Sequence, residues 1–157
     1  MLPFKKVLSP TDFSEASYAG LAVANELALH FSAELLVVHV VAAVPLPIMD
    51  SGEGLGGFDV SSYQLELEAS AKNSLQELLD QRVSKELRVR PLVAYGDAAN
   101  EVVRIAEAEQ VDLIVIATHG MTGWRHFIFG SVAEKVVRHA TCPVMTIRAP
   151  SPQKETK

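Results

Sequence analysis

Two segments of this 157-residue sequence carry residue types and spacings that could do chemistry. The longer runs Thr118-His119-Gly120-Met121-Thr122-Gly123 and continues through Trp124-Arg125-His126-Phe127-Ile128-Phe129 to Gly130-Ser131. Gly120 and Gly123 let the backbone approach a ligand closely, and Gly130-Ser131 leads into a helix whose first amides lack internal partners. A phosphate placed there would meet those amides, the positive end of the helix dipole and the Ser131 hydroxyl. Turn glycines and a serine N-cap are the competing reading; neither the Walker A spacing nor the dinucleotide fingerprint is present. The shorter segment is Ser9-Pro10-Thr11-Asp12-Phe13-Ser14. Its Asp12 could accept hydrogen bonds from sugar hydroxyls or close an Asx-turn into the next helix.

Other reactive side chains give less. His119 has no evident partner at short range, and His30, His39, His126 and His139 are scattered without metal-ligand spacing. Arg125 and His126 could add positive charge near a phosphate or lie solvated; Trp124, Phe127, Ile128 and Phe129 could pack under the loop or form a lid. Cys142, the single cysteine, allows no internal disulfide and reads as a small buried residue opening the last strand.

The elements that must position these segments alternate along the chain. Apolar, β-branched runs begin at Val7-Leu8 and recur at Glu34 to Val41, Leu87 to Val93, Val111 to Ala117 and Pro143 to Ile147. The second and fourth are almost continuously apolar, as expected of parallel strands covered on both faces. Helical patterns fill the gaps. Ser14 to Phe31 has Ser14 as N-cap, and about Tyr63 to Lys85 has Leu65, Leu75, Leu78 and Leu79 as its buried stripe. A third helix follows the cap candidate Asp97 with Val102, Val103 and Ile105 inward; the fourth is capped by Ser131 with Val132, Val136 and Val137 repeating. Five strands alternating with four helices predict an open, mostly parallel five-stranded α/β sheet with helices on both faces. In such a sheet ligands bind beyond the carboxyl ends of the strands, where both segments fall, and Val40 at the end of strand two could offer backbone groups to an adenine edge.

Composition agrees with one domain over 1–149, followed by a flexible polar tail over 150–157. Pro45 to Ser62 is the one long irregular stretch. Nineteen acidic against fourteen basic residues give a net charge of -5, which argues against an extended nucleic acid as partner. The N-terminus lacks signal-peptide architecture, and the longest apolar run, Leu35 to Met49, is too short to span a bilayer. A cytoplasmic protein without membrane insertion is expected. The outer edge of strand five, with Val144, Met145 and Ile147, invites pairing with another chain.

Between Phe4 and Ile147 the chain resembles the universal stress protein family. The resemblance is carried by Pro10-Thr11-Asp12-Phe13-Ser14, His39-Val40, Gly96-Asp97, Asp112, Thr118-His119-Gly120, Gly130-Ser131-Val132-Ala133-Glu134-Lys135-Val136 and Cys142-Pro143-Val144. The ATP-binding branch of that family carries a glycine, two residues, a second glycine, nine residues, then glycine and serine or threonine. Here the second glycine is Gly120 and the closing pair Gly130-Ser131, but the first position holds Ala117. Its methyl group would sit beside the nucleotide and disfavour a positive φ. The resemblance implies that Asp12 binds ribose, Val40 pairs with adenine, and Gly120, Gly130, Ser131 and Val132 line phosphates and sugar. Pro10, Thr11, Ile116, Ala117 and His119 complete the expected site. It further implies ATP, with or without Mg²⁺, as ligand, a homodimer through Pro143 to Ile147, and an unidentified protein partner. The function expected is a nucleotide-dependent stress-response switch with at most slow hydrolysis, since no general base or arginine finger is visible. A nucleotide-free dimeric interaction or chaperone-like module is the alternative that Ala117 motivates, and a transferase on the same sheet ranks last.

Overall fold

The computed structural model describes residues 2–42, 60–118 and 130–148, with backbone alone at 60–62. In chain order its elements are β1 (Lys6–Pro10), α1 (Glu15–Phe31), β2 (Glu34–Val41), α2 (Val60–Arg82), β3 (Val89–Tyr95), α3 (Ala98–Ala108), β4 (Leu113–Ala117), α4 (Ser131–His139) and β5 (Val144–Ile147). The strands form one sheet in the order β3-β2-β1-β4-β5, and every pairing is parallel.

Burial on both faces explains the apolar runs. Alternate side chains of β1, β2 and β4 point to opposite sides. Val7, Leu35, Val37, Leu113 and Val115 join α1 and α2 in one core, while Leu8, Leu36, Val38, Ile114 and Ile116 join α3 and α4 in the other. Chain order reverses between β1 and β4, so the crevice beyond their carboxyl ends is the expected ligand position.

Several expected boundaries and faces are corrected. α2 starts at Val60, inside the stretch read as irregular, and ends at Arg82 rather than Lys85. Its end is fixed when the Ser84 amide donates to Asn25 Oδ1 of α1 at 2.9 Å; a turn from Ser84 to Leu87 then delays β3 to Val89. β4 begins at Leu113 because the Val111 amide still serves α3, donating to the Ala106 carbonyl. β5 begins at Val144, since Pro143 has no N–H to pair. Leu65 of α2 is exposed, its helix burying Leu75, Leu78 and Leu79. Val132 and Val137 are exposed and Val103 is half-buried, because α3 and α4 pack through Ala99, Val102, Ile105, Ala106, Ala133 and Val136 instead. The rest of the irregular stretch, residues 121–129 and the polar tail lie outside the described residues. Among the described residues no helix is long and apolar enough to cross a membrane.

Candidate functional site

A cavity of about 300 Å³ opens at the carboxyl ends of β1, β2 and β4. Pro10, Thr11 and Asp12 line it from the end of β1, Val38 and Val40 from β2, and Ile116, Ala117 and Thr118 from the end of β4. α1 contributes Ser17, α3 contributes Ala98 and Val102, and the start of α4 contributes Gly130, Ser131, Val132 and Ala133. Its wall toward β2 and α3 is aliphatic; hydroxyls, the Asp12 carboxylate and the first turn of α4 occupy the other side.

The turn after β1 is built from its own side chains. Ser14 caps α1 by accepting from the Ser17 amide, and the Ser14 amide donates to Asp12 Oδ1 at 3.0 Å, closing the expected Asx-turn. The Ser14 hydroxyl donates to the same Asp12 oxygen at 2.5 Å. Asp12 therefore shapes the turn and faces the cavity at once. Thr11 is nearly buried and serves as a hub: its amide donates to the Val38 carbonyl at 2.8 Å, and its hydroxyl accepts from the Phe13 amide at 3.1 Å. The Ser17 hydroxyl donates to the Ser14 carbonyl at 2.8 Å, so in the 3.0 Å contact between Thr11 Oγ1 and Ser17 Oγ it is Thr11 that donates. Phe13 takes a positive φ of 63°, which turns the chain from strand to helix.

The start of α4 is constructed differently. Its N-cap is Gly130, with φ −70° and ψ 153°, and Ser131 is the first helical residue, which corrects the expected serine cap. Gly130 gives its amide to the Thr118 carbonyl at 2.5 Å, tying the helix to the end of β4. No side chain caps the helix, so the Ser131, Val132 and Ala133 amides have neither an intrahelical acceptor nor a cap where they meet the cavity. α1 and α3, in contrast, are capped by Ser14 and Asp97. The Asn100 amide bound to Asp97 holds its carboxyl below the usual carboxylate range, with Lys135 assisting.

Ala117 does not take the positive φ that its methyl group would disfavour. It lies within β4, in register with Ile147, and the described non-glycine residues with positive φ are Phe13, Ser32 and Gln110. α1 approaches it at Gly20, where an added Cβ would lie 3.1 Å from the Ala117 amide nitrogen and 3.7 Å from its Cβ. The helix can sit this close to the strand end only without a side chain at Gly20.

Nine of the eleven expected site residues thus line one cavity: Pro10, Thr11, Asp12, Val40, Ile116, Ala117, Gly130, Ser131 and Val132. His119 and Gly120 lie outside the described residues. Sequence reasoning missed Ser17, Val38, Ala98, Val102, Thr118 and Ala133 as lining residues. Ser17 sits one helical turn beyond the cap Ser14, a spacing that could have flagged it.

No lysine, arginine or histidine is among the described residues lining the cavity, and among the described residues no group of three His, Cys, Asp or Glu could hold a metal ion. Positive potential at the described wall comes from the α4 amides. The described lining can bind an anion and a flat apolar group side by side. Cys142 is half-buried just before β5 rather than buried within it, and desolvation pushes its thiol above the ordinary value, away from reactivity.

Comparison with known proteins places this architecture. The protein MJ0531 of Methanocaldococcus jannaschii, a universal stress protein, is 31% identical over 147 residues, spanning 94% of this chain and 84% of the relative. The solved structure of MJ0577 from the same organism superposes with a TM-score of 0.79 at 26% identity, covering 95% of this chain and 99% of that one. A family protein from Arabidopsis thaliana, solved with AMP bound, shares the fold with a TM-score of 0.62 at 18% identity, covering 96% of this chain and 97% of that one. Residues 3–148 match the sequence profile of the Universal stress protein family, and the chain belongs to that family.

Proposed function

We propose that this protein binds an adenine nucleotide, ATP by preference, in the cavity beyond β1, β2 and β4, and acts as a nucleotide-dependent conformational or partner switch. The observation that carries the reading is the uncapped start of α4. Three amides with no intrahelical acceptor and no side-chain cap among the described residues stand at a cavity whose far wall is aliphatic, so phosphate and base each have a suited surface. Asp12, at the tip of β1 between the two, is suited to accept from ribose hydroxyls. The AMP bound to the Arabidopsis relative supports the same ligand class. Mg²⁺, where it accompanies ATP, is held mainly by the phosphates and water, because the described residues supply no ligand cluster. Hydrolysis is slow at most, since the described lining has no cation to stabilise the transferred phosphoryl group.

Dimerisation through the last strand belongs to the same proposal. β5 is an edge of the sheet, Met145 on it is exposed, and Val137 of α4 beside it is 48% exposed.

The test is direct. Denaturing the purified protein should release an adenine nucleotide, and calorimetric titration of the stripped protein with ATP should show saturable binding. Replacing Gly130→Val together with Ser131→Ala should remove binding and leave the dimer intact. No released nucleotide and no heat at millimolar ATP would sink the reading.

A further inference from the structure

β1 and β2 stop pairing at Pro10↔Val38 although β2 runs on to Val41, and the way they stop bears on base recognition. Their register runs from Lys6↔Glu34 to Pro10↔Val38, and the last rung is the Thr11 amide donating to the Val38 carbonyl. In a parallel ladder successive residues of one strand bond alternately to opposite neighbours. Val38 turns its peptide groups toward β1, and the Gly96 amide donates to the Val41 carbonyl on the β3 side. Val40 therefore faces β1. The next two rungs would join the Val40 amide to the Thr11 carbonyl and the Val40 carbonyl to the Phe13 amide.

Side chains occupy both of those partners. The Thr11 carbonyl lies 2.9 Å from His39 Nδ1; a carbonyl only accepts, so that ring nitrogen carries the proton and donates. The Phe13 amide donates to Thr11 Oγ1 at 3.1 Å. Phe13 also stacks on the His39 ring at a centroid distance of 4.4 Å, and its positive φ carries the chain away from β2. The strand edge is thus held open at Val40, which lines the cavity.

We propose that His39 and Thr11 are positioning residues for base recognition: by taking up the Thr11 carbonyl and the Phe13 amide, they leave the Val40 amide and carbonyl free to read the edge of a purine. The inference rests on the adenine-nucleotide reading of the cavity and assigns a role to side chains that need not touch the base. An adjacent donor and acceptor match adenine, whose edge offers an acceptor at N1 beside the N6 amino group. Hypoxanthine reverses both, with a proton on N1 and an oxygen on C6, so ITP is the discriminating probe.

Two measurements separate this proposal from the reading it rests on. In nucleotide-free wild-type protein, the Val40 amide should exchange its hydrogen at least about tenfold faster than the Val38 amide, because the first has no ladder partner and the second does. In His39→Leu the freed Thr11 carbonyl pairs with Val40, so Val40 exchange slows. ATP affinity then falls about tenfold while ITP affinity barely moves. His39→Asn, whose side-chain N–H can reach the same carbonyl, should restore both the exchange pattern and the preference for ATP; a generally loosened structure would show no such rescue. A wild-type Val40 amide as protected as Val38 overturns the proposal, as does an unchanged ATP-to-ITP ratio in His39→Leu. The wild-type exchange comparison stands even where the leucine variant does not fold. Failure of the wild type to bind ATP removes the adenine reading, while the exchange pattern still decides whether His39 holds Val40 open.

Discussion

At the amino ends of the strands, Asp112 Oδ2 accepts the Lys5 and Lys6 amides at 2.7 and 2.9 Å, and the Lys6 ammonium donates to the Glu109 carbonyl at 2.8 Å. Arg90 of β3 makes a two-pronged pair with Glu109 just beyond α3 and approaches Glu34 of β2. At the carboxyl ends of β1 and β2, the backbone is instead capped by short side chains, Thr11, Ser14, Ser17 and His39, and the start of α4 keeps its amides uncapped. One end closes polar groups on one another across four elements. The other holds its groups in place without using them up. A sheet can have a stable end and a receptive end because rigidity at the first is what lets the second leave donors unpaired.

The sharpest way to break the contrast is Thr11→Val. The substitution keeps the shape and removes a buried hydroxyl that accepts one bond and donates another, leaving the Phe13 amide without its acceptor. We expect a stability loss of about 2 kcal/mol by denaturant unfolding, together with a clear fall in ATP affinity by calorimetry. Lost stability with unchanged affinity would reduce the turn to a structural cap like those elsewhere in the chain.

How far this contrast is legible in sequence depends on how local its causes are. Ser14 and Asp97 announce their caps because a cap needs only the residue and the amide three positions on. β2 and β4 are legible because burial on both faces leaves an unbroken apolar run. Ser131 misleads: a serine before a helix reads as a cap, but the extended dihedrals fall on Gly130, whose amide is tied to Thr118. The α3 lining residues Ala98 and Val102 are invisible for another reason. Their place in the cavity depends on where α3 crosses the sheet, which no spacing within the helix encodes. Ala117 stands where the motif has glycine, and its methyl group disfavours a positive φ; the backbone there is strand, and the close approach is made at Gly20, far away in sequence. His39 belongs to the family resemblance, but its hydrogen bond leaves no local signal, since the partner carbonyl is 28 residues distant.

The amino end is tested with Arg90→Met, which should weaken the fold less than Thr11→Val and leave ATP affinity unchanged. Its signature is in pH. The Arg90 guanidinium is the main cause holding the Glu109 carboxyl below the ordinary carboxylate value, against a smaller desolvation effect. A carboxyl whose pKa is lowered on folding binds its proton first in the unfolded chain. Its contribution is therefore complete above the ordinary carboxylate value and is lost as pH falls through the lowered one. Unfolding midpoints measured from about pH 5 to about pH 3 should fall less steeply in Arg90→Met than in wild type. Asp97, Glu68 and Asp80, also lowered, preserve the remaining slope in both proteins. An identical slope would mean that Arg90 and Glu109 do not pair in solution, and that the amino end is held by Asp112 and Lys6.

The smallest expected effect lies on the boundary between the two ends. Ser9 is fully buried in β1, one residue before the cavity-lining Pro10, and its hydroxyl has no hydrogen-bond partner. It stands two residues after Val7 and so faces the same core, toward α1 and α2. A buried hydroxyl without a partner costs stability, and removing it exposes no complementary group left behind. Ser9→Ala should accordingly lie within about 0.5 kcal/mol of wild type, on the stabilising side if at all, with ATP affinity unchanged. A loss above about 1 kcal/mol would reveal a buried water held by that hydroxyl. A loss of ATP affinity would instead move the receptive end one residue down the strand, into a position that the fold otherwise treats as core.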